Sequence, residues 1–70
     1  MIKKIAILGS TGSIGKNTVS IINENKNDFD VIFLSTNNNV NILYKQCKSL
    51  KPKAVIIFNK KKYFKYKYKF

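Results

Sequence analysis

An apolar run that stops at a glycine constrains this chain more than any other feature. Residues 5–8 read Ile-Ala-Ile-Leu, Gly9 follows, and two more glycines, Gly12 and Gly15, come at intervals of three residues. A buried parallel strand that leads into a phosphate-binding turn and then into a helix N-terminus has this order of residues. Such a turn needs glycine because its backbone bends tightly and lets a pyrophosphate approach bare N–H groups. We expect Gly15 to let the helix lie close to the strand.

The spacing of the glycines is G-x-x-G-x-x-G, whereas most dinucleotide-binding turns have G-x-G-x-x-G. Taken alone, the pattern also fits an ordinary glycine-rich loop. Its context favours a dinucleotide-binding turn, because the glycines follow a strand-like run, open a helical pattern and lie close to residue 1.

The sequence of residues 7–15, Ile-Leu-Gly-Ser-Thr-Gly-Ser-Ile-Gly, resembles the N-terminal sequence of proteins of the 1-deoxy-D-xylulose 5-phosphate reductoisomerase family. This family uses NADPH in the non-mevalonate pathway of isoprenoid biosynthesis. The resemblance covers about residues 1–58 and only the first part of a much longer family protein. It continues through Asn39-Val40-Asn41, Leu43, Gln46-Cys47 and Lys51-Pro52-Lys53.

The resemblance implies an NADPH site built from two segments. In the family the glycine turn wraps the diphosphate of NADPH, and the loop after the second strand contacts the other end of the cofactor. The residues that correspond here are Gly9, Ser10, Thr11, Gly12, Ser13, Ile14 and Gly15 in the turn, and Asn37, Asn38 and Asn39 in the loop. For Ser13 a structural role as the cap of the first helix stays open.

The end of the second strand favours NADPH over NADH. An NAD site usually places an acidic residue there for the ribose 2′-hydroxyl, and residues 35–39 read Ser-Thr-Asn-Asn-Asn without an acid. Two positions depart from the family, which usually has Gly at 37 and often a basic residue at 38. Whether Lys45 reaches a 2′-phosphate instead stays open.

The order of apolar segments predicts β-α-β-α-β, the N-terminal half of an α/β Rossmann-like, doubly wound parallel sheet that is incomplete in this chain. We expect strand order 3-2-1 with right-handed crossovers. The predicted strands are Lys4–Leu8, Asp30–Ser35 and Ala54–Phe58, and the predicted helices are Ser13–Asn25 and a second one from Val40 that Pro52 ends.

Apolar spacing predicts which helix faces are buried. On the first helix one side carries Ile14, Thr18, Ile21, Ile22 and Asn25, with Val19 beside them, and the first strand is apolar enough to be covered on both faces. On the second helix the stripe is Val40, Leu43, Tyr44, Cys47 and Leu50, with Asn38 or Asn39 as the cap. Cys47 therefore reads as a core residue.

Residues 59–70 have a different character, since residues 60–70 contain only Lys, Tyr and Phe. Alternation over Lys65–Phe70 fits a strand with a basic face, and interleaved lysines and aromatics also suit single-stranded nucleic acid. Because the resemblance fades here, we favour a tail that is disordered or translated out of frame. The predicted division is a partial NADPH-binding domain at 1–58 and a basic aromatic tail at 59–70.

The 70-residue chain is long enough for one small domain, and its net charge is +11 with no Arg and no His. Lys, Asn, Ile, Phe and Tyr are enriched together, which an AT-rich genome explains better than a polyanionic partner does. We therefore do not expect nucleic acid as a partner.

Cys47 is the single cysteine, so no internal disulfide forms. Without an apolar run of membrane-spanning length or a leader before the first strand, we expect a cytoplasmic protein that does not enter a membrane.

No catalytic residue and no metal ligand is assigned. The family reaction needs a divalent metal, Mg²⁺ or Mn²⁺, and a sugar-phosphate site, both expected only in a full-length member, which the resemblance suggests is a homodimer. The acidic residues of the chain are Glu24, Asp28 and Asp30, and their spacing is not that of metal ligands.

The sequence thus predicts a fragment of an NADPH-dependent oxidoreductase that is inactive alone. Two alternatives are another NAD(P) oxidoreductase, such as an aspartate-semialdehyde dehydrogenase, disfavoured by Ser10-Thr11, and a small basic nucleic-acid-binding protein.

Overall fold

The computed structural model describes residues 2–70 and contains three strands in one parallel sheet. The strand order is β1-β2-β3, so the second strand is central, as predicted. The elements are β1 Lys3–Ile7, α1 Ser13–Glu24, a 3₁₀ turn Lys26–Asp28, β2 Phe29–Thr36, α2 Val40–Leu50, β3 Ala54–Ile57, α3 Lys60–Tyr66 and a second 3₁₀ turn Lys67–Lys69. The predicted α/β fold class, the first half of a Rossmann-like sheet, is confirmed, and the five predicted elements differ from the observed ones by one or two residues at their ends.

Strand register brings the carboxyl ends of the three strands to one edge of the sheet. Ile7 lies opposite Leu34 at the end of the β1–β2 pair, and Thr36 lies opposite Ile57 at the end of the β2–β3 pair. The register of β1 shifts between Ile5 and Ala6. The loops that follow β1 and β2 therefore start side by side, where open α/β sheets bind their ligands.

The core lies between the sheet and the two long helices, with α1 against α2 and α2 against β2. Each helix is amphipathic, so burial of one apolar face against the sheet stabilises it more than its intrinsic propensity does. The buried hydrophobic residues are Ile7, Val19, Ile22, Val31, Leu34, Val40, Leu43 and Ile57.

The predicted inner face of α1 is partly wrong. The buried residues of α1 are Gly15, Val19 and Ile22, whereas Ile14 and Ile21 are exposed. The close approach of Gly15 to the turn rotates the helix so that the i, i+4, i+7 row from Gly15 faces the core. Neither Ile14 nor Ile21 lies on that row.

The first strand is also less covered than its apolar character predicts. Ile7 is buried, but Ala6 is exposed, and so is Leu8, which lies just beyond the strand and not in it. Ile5, like Ile7, packs against the core, whereas Lys4 and Ala6 on the other face of the strand are exposed. The expectation of cover on both faces is therefore wrong for this chain.

Residues 60–69 form a short helix and a 3₁₀ turn. Both the alternating strand and the disordered tail predicted for this stretch are wrong. The side chain of Asn59 accepts a hydrogen bond from the Lys62 N–H at 3.0 Å and so caps α3. Tyr66 packs against the core, although no residue of α3 is fully buried. The division of the chain into a cofactor-binding part, residues 1–58, and a separate C-terminal segment, residues 59–70, stays a prediction.

Candidate functional site

The turn between β1 and α1 is fastened to the end of β2 by its backbone. The Gly9 N–H donates to the Ser35 hydroxyl at 2.9 Å, and the Ser10 N–H donates to the Ser35 carbonyl oxygen at 2.9 Å. Within the turn, the Gly12 N–H donates to the Gly9 carbonyl oxygen at 3.1 Å. Sheet pairing thus continues past the end of β1, and this holds the turn beside the loop that follows β2.

The three glycines of the turn have three different structural roles. Gly9 has φ +69°, a left-handed conformation that favours glycine. At Gly15 a Cβ would lie 2.7 Å from the Ser10 Cα and closer still to the Gly9 carbonyl oxygen, so only glycine fits between helix and turn. This confirms that Gly15 lets α1 pack closely.

Gly12 differs from the other two because the protein itself does not require a glycine there. A Cβ at Gly12 would meet the Gly9 carbonyl oxygen at 3.6 Å, an ordinary van der Waals distance, and its φ is −76°. Gly12 is exposed at the helix end. A bare backbone at this point leaves room for a ligand to approach the N–H groups that follow.

The N-terminus of α1 carries unpaired donors and no competing charge. Gly12 is the N-cap, no side chain caps this end, and no acidic residue lies in the first turn. Ser13 is inside the helix, so the capping role left open for it is wrong. The first-turn N–H groups of Ser13, Ile14 and Gly15 have no intrahelical acceptor, and the helix dipole adds partial positive charge.

An open groove of about 520 Å³ lies against this helix end. Its lining combines glycine and small hydroxyl residues with three larger apolar residues, of which Leu8 and Ile14 are 71 % and 83 % exposed. The lining residues are Ile7, Leu8, Gly9, Gly12, Ser13, Ile14, Gly15 and Thr18. Anionic groups and flat apolar groups both suit such a groove.

The Ser10 side chain points into the protein. Ser10 is 0 % exposed, and its hydroxyl donates to Gln46 Oε1 at 2.7 Å, with the Ser35 carbonyl oxygen also within 3.2 Å. Gln46 Nε2 donates back to the Ser10 carbonyl oxygen at 2.8 Å. This reciprocal pair joins α2 to the turn. The Ser10 hydroxyl is thus occupied by an internal partner, so a direct cofactor contact assigned to Ser10 rests on the resemblance alone.

A second pair of side chains joins the turn to the loop after β2. Thr11 Oγ1 and Thr36 Oγ1 lie 2.7 Å apart, and Thr36 Oγ1 also accepts the Asn39 N–H at 3.1 Å. Thr36 is buried, while Thr11 is half-buried and Asn39 is exposed. The structure therefore brings together the two segments that the sequence assigned to one site.

The loop Asn37–Asn39 is exposed and free of acidic side chains. Asn39 occupies the N-cap position of α2, as predicted, but its side chain makes no capping hydrogen bond. The start of the loop is held by the two residues after β3, since Phe58 N–H donates to the carbonyl oxygen of Thr36, the last residue of β2, at 3.0 Å and Asn59 N–H to that of Asn37 at 3.1 Å. Among residues 2–70 the side chains of Asn37, Asn38 and Asn39 make no hydrogen bond, so they can meet solvent or a ligand.

Sequence reasoning missed Ser35, Thr36 and Gln46 as parts of the site, although all three are buried polar residues. The available signals were a Ser-Thr pair at the end of an apolar strand, and a glutamine next to Cys47 on the inner side of α2. Buried polar groups need partners, so such residues predict an internal hydrogen-bond network.

Cys47 and the acidic residues lie outside this site. Burial raises the pKa of the Cys47 thiol to about 11, and the side chain packs against the core, as the apolar stripe predicts. Asp30 pairs with Lys53 at 3.5 Å. Among residues 2–70 no three His, Cys, Asp or Glu side chains lie close enough together to hold a metal ion, so the residues described here do not fit the divalent metal of the family.

The sheet order and the glycine turn place this chain in the class of Rossmann-like α/β folds. The family model of 1-deoxy-D-xylulose 5-phosphate reductoisomerase matches residues 5–70, so the chain belongs to that family. The match includes residues 59–70, where the resemblance was expected to have faded. It favours the reductoisomerase over the two alternative functions.

Curated relatives and solved structures agree with this family. A 1-deoxy-D-xylulose 5-phosphate reductoisomerase from Porphyromonas gingivalis is 52 % identical over 63 residues, 90 % of this chain and 16 % of the relative. One from Wigglesworthia glossinidia brevipalpis is 57 % identical over 61 residues, 86 % of this chain and 15 % of the relative.

The reductoisomerase structure from Zymomonas mobilis, in complex with NADPH, matches with TM-score 0.92 and 32 % identity over 97 % of this chain and 18 % of the neighbour. A reductoisomerase structure in complex with magnesium matches with TM-score 0.85 and 27 % identity over 99 % of this chain and 17 % of the neighbour. The chain thus spans less than a fifth of the length of the relatives it matches, and corresponds to a small N-terminal piece of them.

None of the helices within residues 2–70 combines the length and the apolar character that a membrane-crossing helix needs.

Proposed function

We propose that this chain binds the diphosphate and adenosine end of NADPH, as part of an NADPH-dependent 1-deoxy-D-xylulose 5-phosphate reductoisomerase. The observation that carries the proposal is Gly12, a glycine that the fold does not require, placed at an uncapped helix N-terminus beside an open groove. The solved relative in complex with NADPH supports the same cofactor. Because no acid follows β2, we expect tighter binding of NADPH than of NADH.

The contacts that we propose divide between the two segments. The N–H groups of Ser13, Ile14 and Gly15 bind the diphosphate, and the hydroxyls of Thr11 and Ser13 add donors. Asn37, Asn38 and Asn39 lie along the adenosine end. The Ser10 hydroxyl is held by Gln46, so Ser10 supports the turn through its backbone and not through a contact to the cofactor.

The complete reaction requires more than these residues. We propose that the whole enzyme rearranges 1-deoxy-D-xylulose 5-phosphate and reduces it to 2-C-methyl-D-erythritol 4-phosphate, and that NADPH supplies the hydride. We propose that this chain positions one end of the cofactor and that the sugar-phosphate site is formed by other parts of the enzyme. The metal, the substrate site and a homodimer are expected in a full-length member, and the cytoplasmic location stays a prediction.

The experiment that tests cofactor binding is a fluorescence or calorimetric titration of the chain with NADPH and with NADH. Gly12→Asp places a carboxylate against the diphosphate and should abolish binding, because like charges would meet at the helix end. Asn27→Asp is the matched control, since it makes the same charge change at an exposed position at the other end of α1. Equal affinities of the unmodified chain and Gly12→Asp would reject the assigned site.

We also propose that the chain alone does not catalyse the reaction, because hydride transfer needs cofactor and substrate held together. Purified chain should not oxidise NADPH in the presence of 1-deoxy-D-xylulose 5-phosphate and Mg²⁺ or Mn²⁺. Turnover above that of Gly12→Asp would contradict this.

A further inference from the structure

The Thr36 hydroxyl lies where the two halves of the proposed cofactor site meet. Thr36 is the last residue of β2 and is 1 % exposed. Its oxygen accepts the Asn39 N–H from the loop at 3.1 Å and lies 2.7 Å from the Thr11 hydroxyl of the turn. These are the hydrogen bonds of its side chain among the residues that the structure describes.

The direction of the Thr11–Thr36 hydrogen bond follows from the proton count. A threonine hydroxyl has one proton to donate and two lone pairs to accept with. The Thr36 hydroxyl is buried, and the Asn39 N–H can only donate to it, so the one acceptor within reach of the Thr36 proton is Thr11 Oγ1. If Thr11 donated instead, the Thr36 proton would be buried without an acceptor among the described residues, which is unfavourable. Thr36 is therefore the donor.

This direction leaves the proton of Thr11 uncommitted. Thr11 is half-buried in the turn, directly before Gly12 of the groove lining, and its hydroxyl oxygen already accepts from Thr36. A hydroxyl that accepts a hydrogen bond becomes a stronger donor, because the bonds of a chain polarise one another. The chain of donors runs from the Asn39 N–H through Thr36 to Thr11.

We propose that Thr36 is a positioning residue that turns the Thr11 hydroxyl into a dedicated donor for a phosphate oxygen of the dinucleotide. The proposal rests on the proposed function, since the phosphate is that of NADPH. Thr36 does not touch the cofactor and acts through Thr11.

The test is a double-mutant cycle on NADPH affinity, with the unmodified chain, Thr11→Val, Thr36→Val and the double variant. We expect each single substitution to weaken binding about tenfold, the loss of one hydrogen bond to a charged group. Since Thr36 acts through Thr11, the double variant should bind about as tightly as Thr11→Val. Thr36→Ser keeps the hydroxyl and should restore binding, whereas a purely structural Thr36 would weaken binding by the same factor with or without the Thr11 hydroxyl.

The outcomes separate the two proposals. Additive losses, about hundredfold in the double variant, would overturn the role of Thr36 while the NADPH site stands. Failure of the unmodified chain to bind NADPH would overturn both. Circular dichroism and thermal unfolding are measured for each variant, and if Thr36→Val does not fold, Thr36→Ala removes the same hydroxyl without a methyl group against the Asn39 N–H.

Discussion

The glycine turn 9–15 and the C-terminal segment 59–70 are held in place in different ways. Around the turn, Ser10, Ser35 and Thr36 are almost completely buried, and each is bonded to a residue at least 25 positions away. In the C-terminal segment, α3 has no buried residue, and the adjoining Tyr68 is 89 % exposed. The turn is thus fixed by buried hydrogen bonds, whereas segment 59–70 meets the rest of the chain through partly or fully exposed side chains, such as the Phe70–Tyr44 ring pair.

The same difference explains why one segment was predicted well from sequence and the other was not. A glycine that is needed for a positive φ or for close packing marks a place where the folded backbone tolerates no other residue. The spacing of such glycines along the sequence therefore predicts the structure of the turn. The alternation of Lys and Tyr does not define a buried face, because Tyr66 is half-buried and packs against the core whereas Tyr68, two residues on, is 89 % exposed. The usable signal was Asn59, a good N-cap residue directly before the lysines, which predicts a helix.

The largest expected effect in this comparison is that of Gly15→Ala on the folded turn. The added Cβ would lie 2.7 Å from the Ser10 Cα, backbone that hydrogen bonds to β2 hold in place, so we expect a loss of stability on the order of 3 kcal/mol or more. For a chain of this size such a loss leaves little folded protein. Circular dichroism and urea unfolding measure it.

Gly12→Ala is the matched control, because its Cβ would have 3.6 Å of room. It should unfold within about 0.5 kcal/mol of the unmodified chain, as surface substitutions usually do. Equal losses for the two glycines would mean that the turn is not held against α1 as described, and the contrast with the C-terminal segment would then disappear.

The sequence predicted the two backbone segments of the candidate site but not the side-chain pairs that join them. Gly9, Gly12 and Gly15 mark the turn, and the absence of an acid marks the loop after β2, so both segments were found. The pairs Ser10–Gln46 and Thr11–Thr36 were not, since they join side chains 36 and 25 residues apart. Local sequence does not state which polar residues meet across a sheet, so the inward direction of the Ser10 hydroxyl was unpredictable without the register of β1 against β2.

A smaller effect is expected from Gln46→Leu, which keeps the volume of the side chain and removes both hydrogen bonds to Ser10. The Ser10 carbonyl oxygen would be buried without its donor, at a cost of roughly 2 kcal/mol. The free energy of unfolding in urea measures this, and Lys45→Leu, exposed on the same helix, controls for added apolar surface. If both substitutions change stability equally, then the Ser10–Gln46 pair does not anchor the turn.

The smallest effect is expected at the other end of the comparison, from Asn59→Ala. This substitution removes the cap that accepts the Lys62 N–H at 3.0 Å, which costs about 1 kcal/mol of helix stability. Because α3 buries no residue fully, this loss should fray α3 and leave the sheet intact, so amide exchange should accelerate at Lys62 and Tyr63 but not in β2.

Two variants serve as controls. Asn59→Asp keeps an acceptor and should restore protection, and Tyr68→Ala should change neither region. Among the described residues, the links that could transmit the loss are the contact of Tyr66 with the core, the Asn59 N–H bond to Asn37, and the packing of Phe70 and Lys69 on the Tyr44 ring of α2. Equal acceleration in α3 and in β2 would therefore show that residues 59–70 unfold together with the cofactor half, and the predicted division at residue 58 would be wrong.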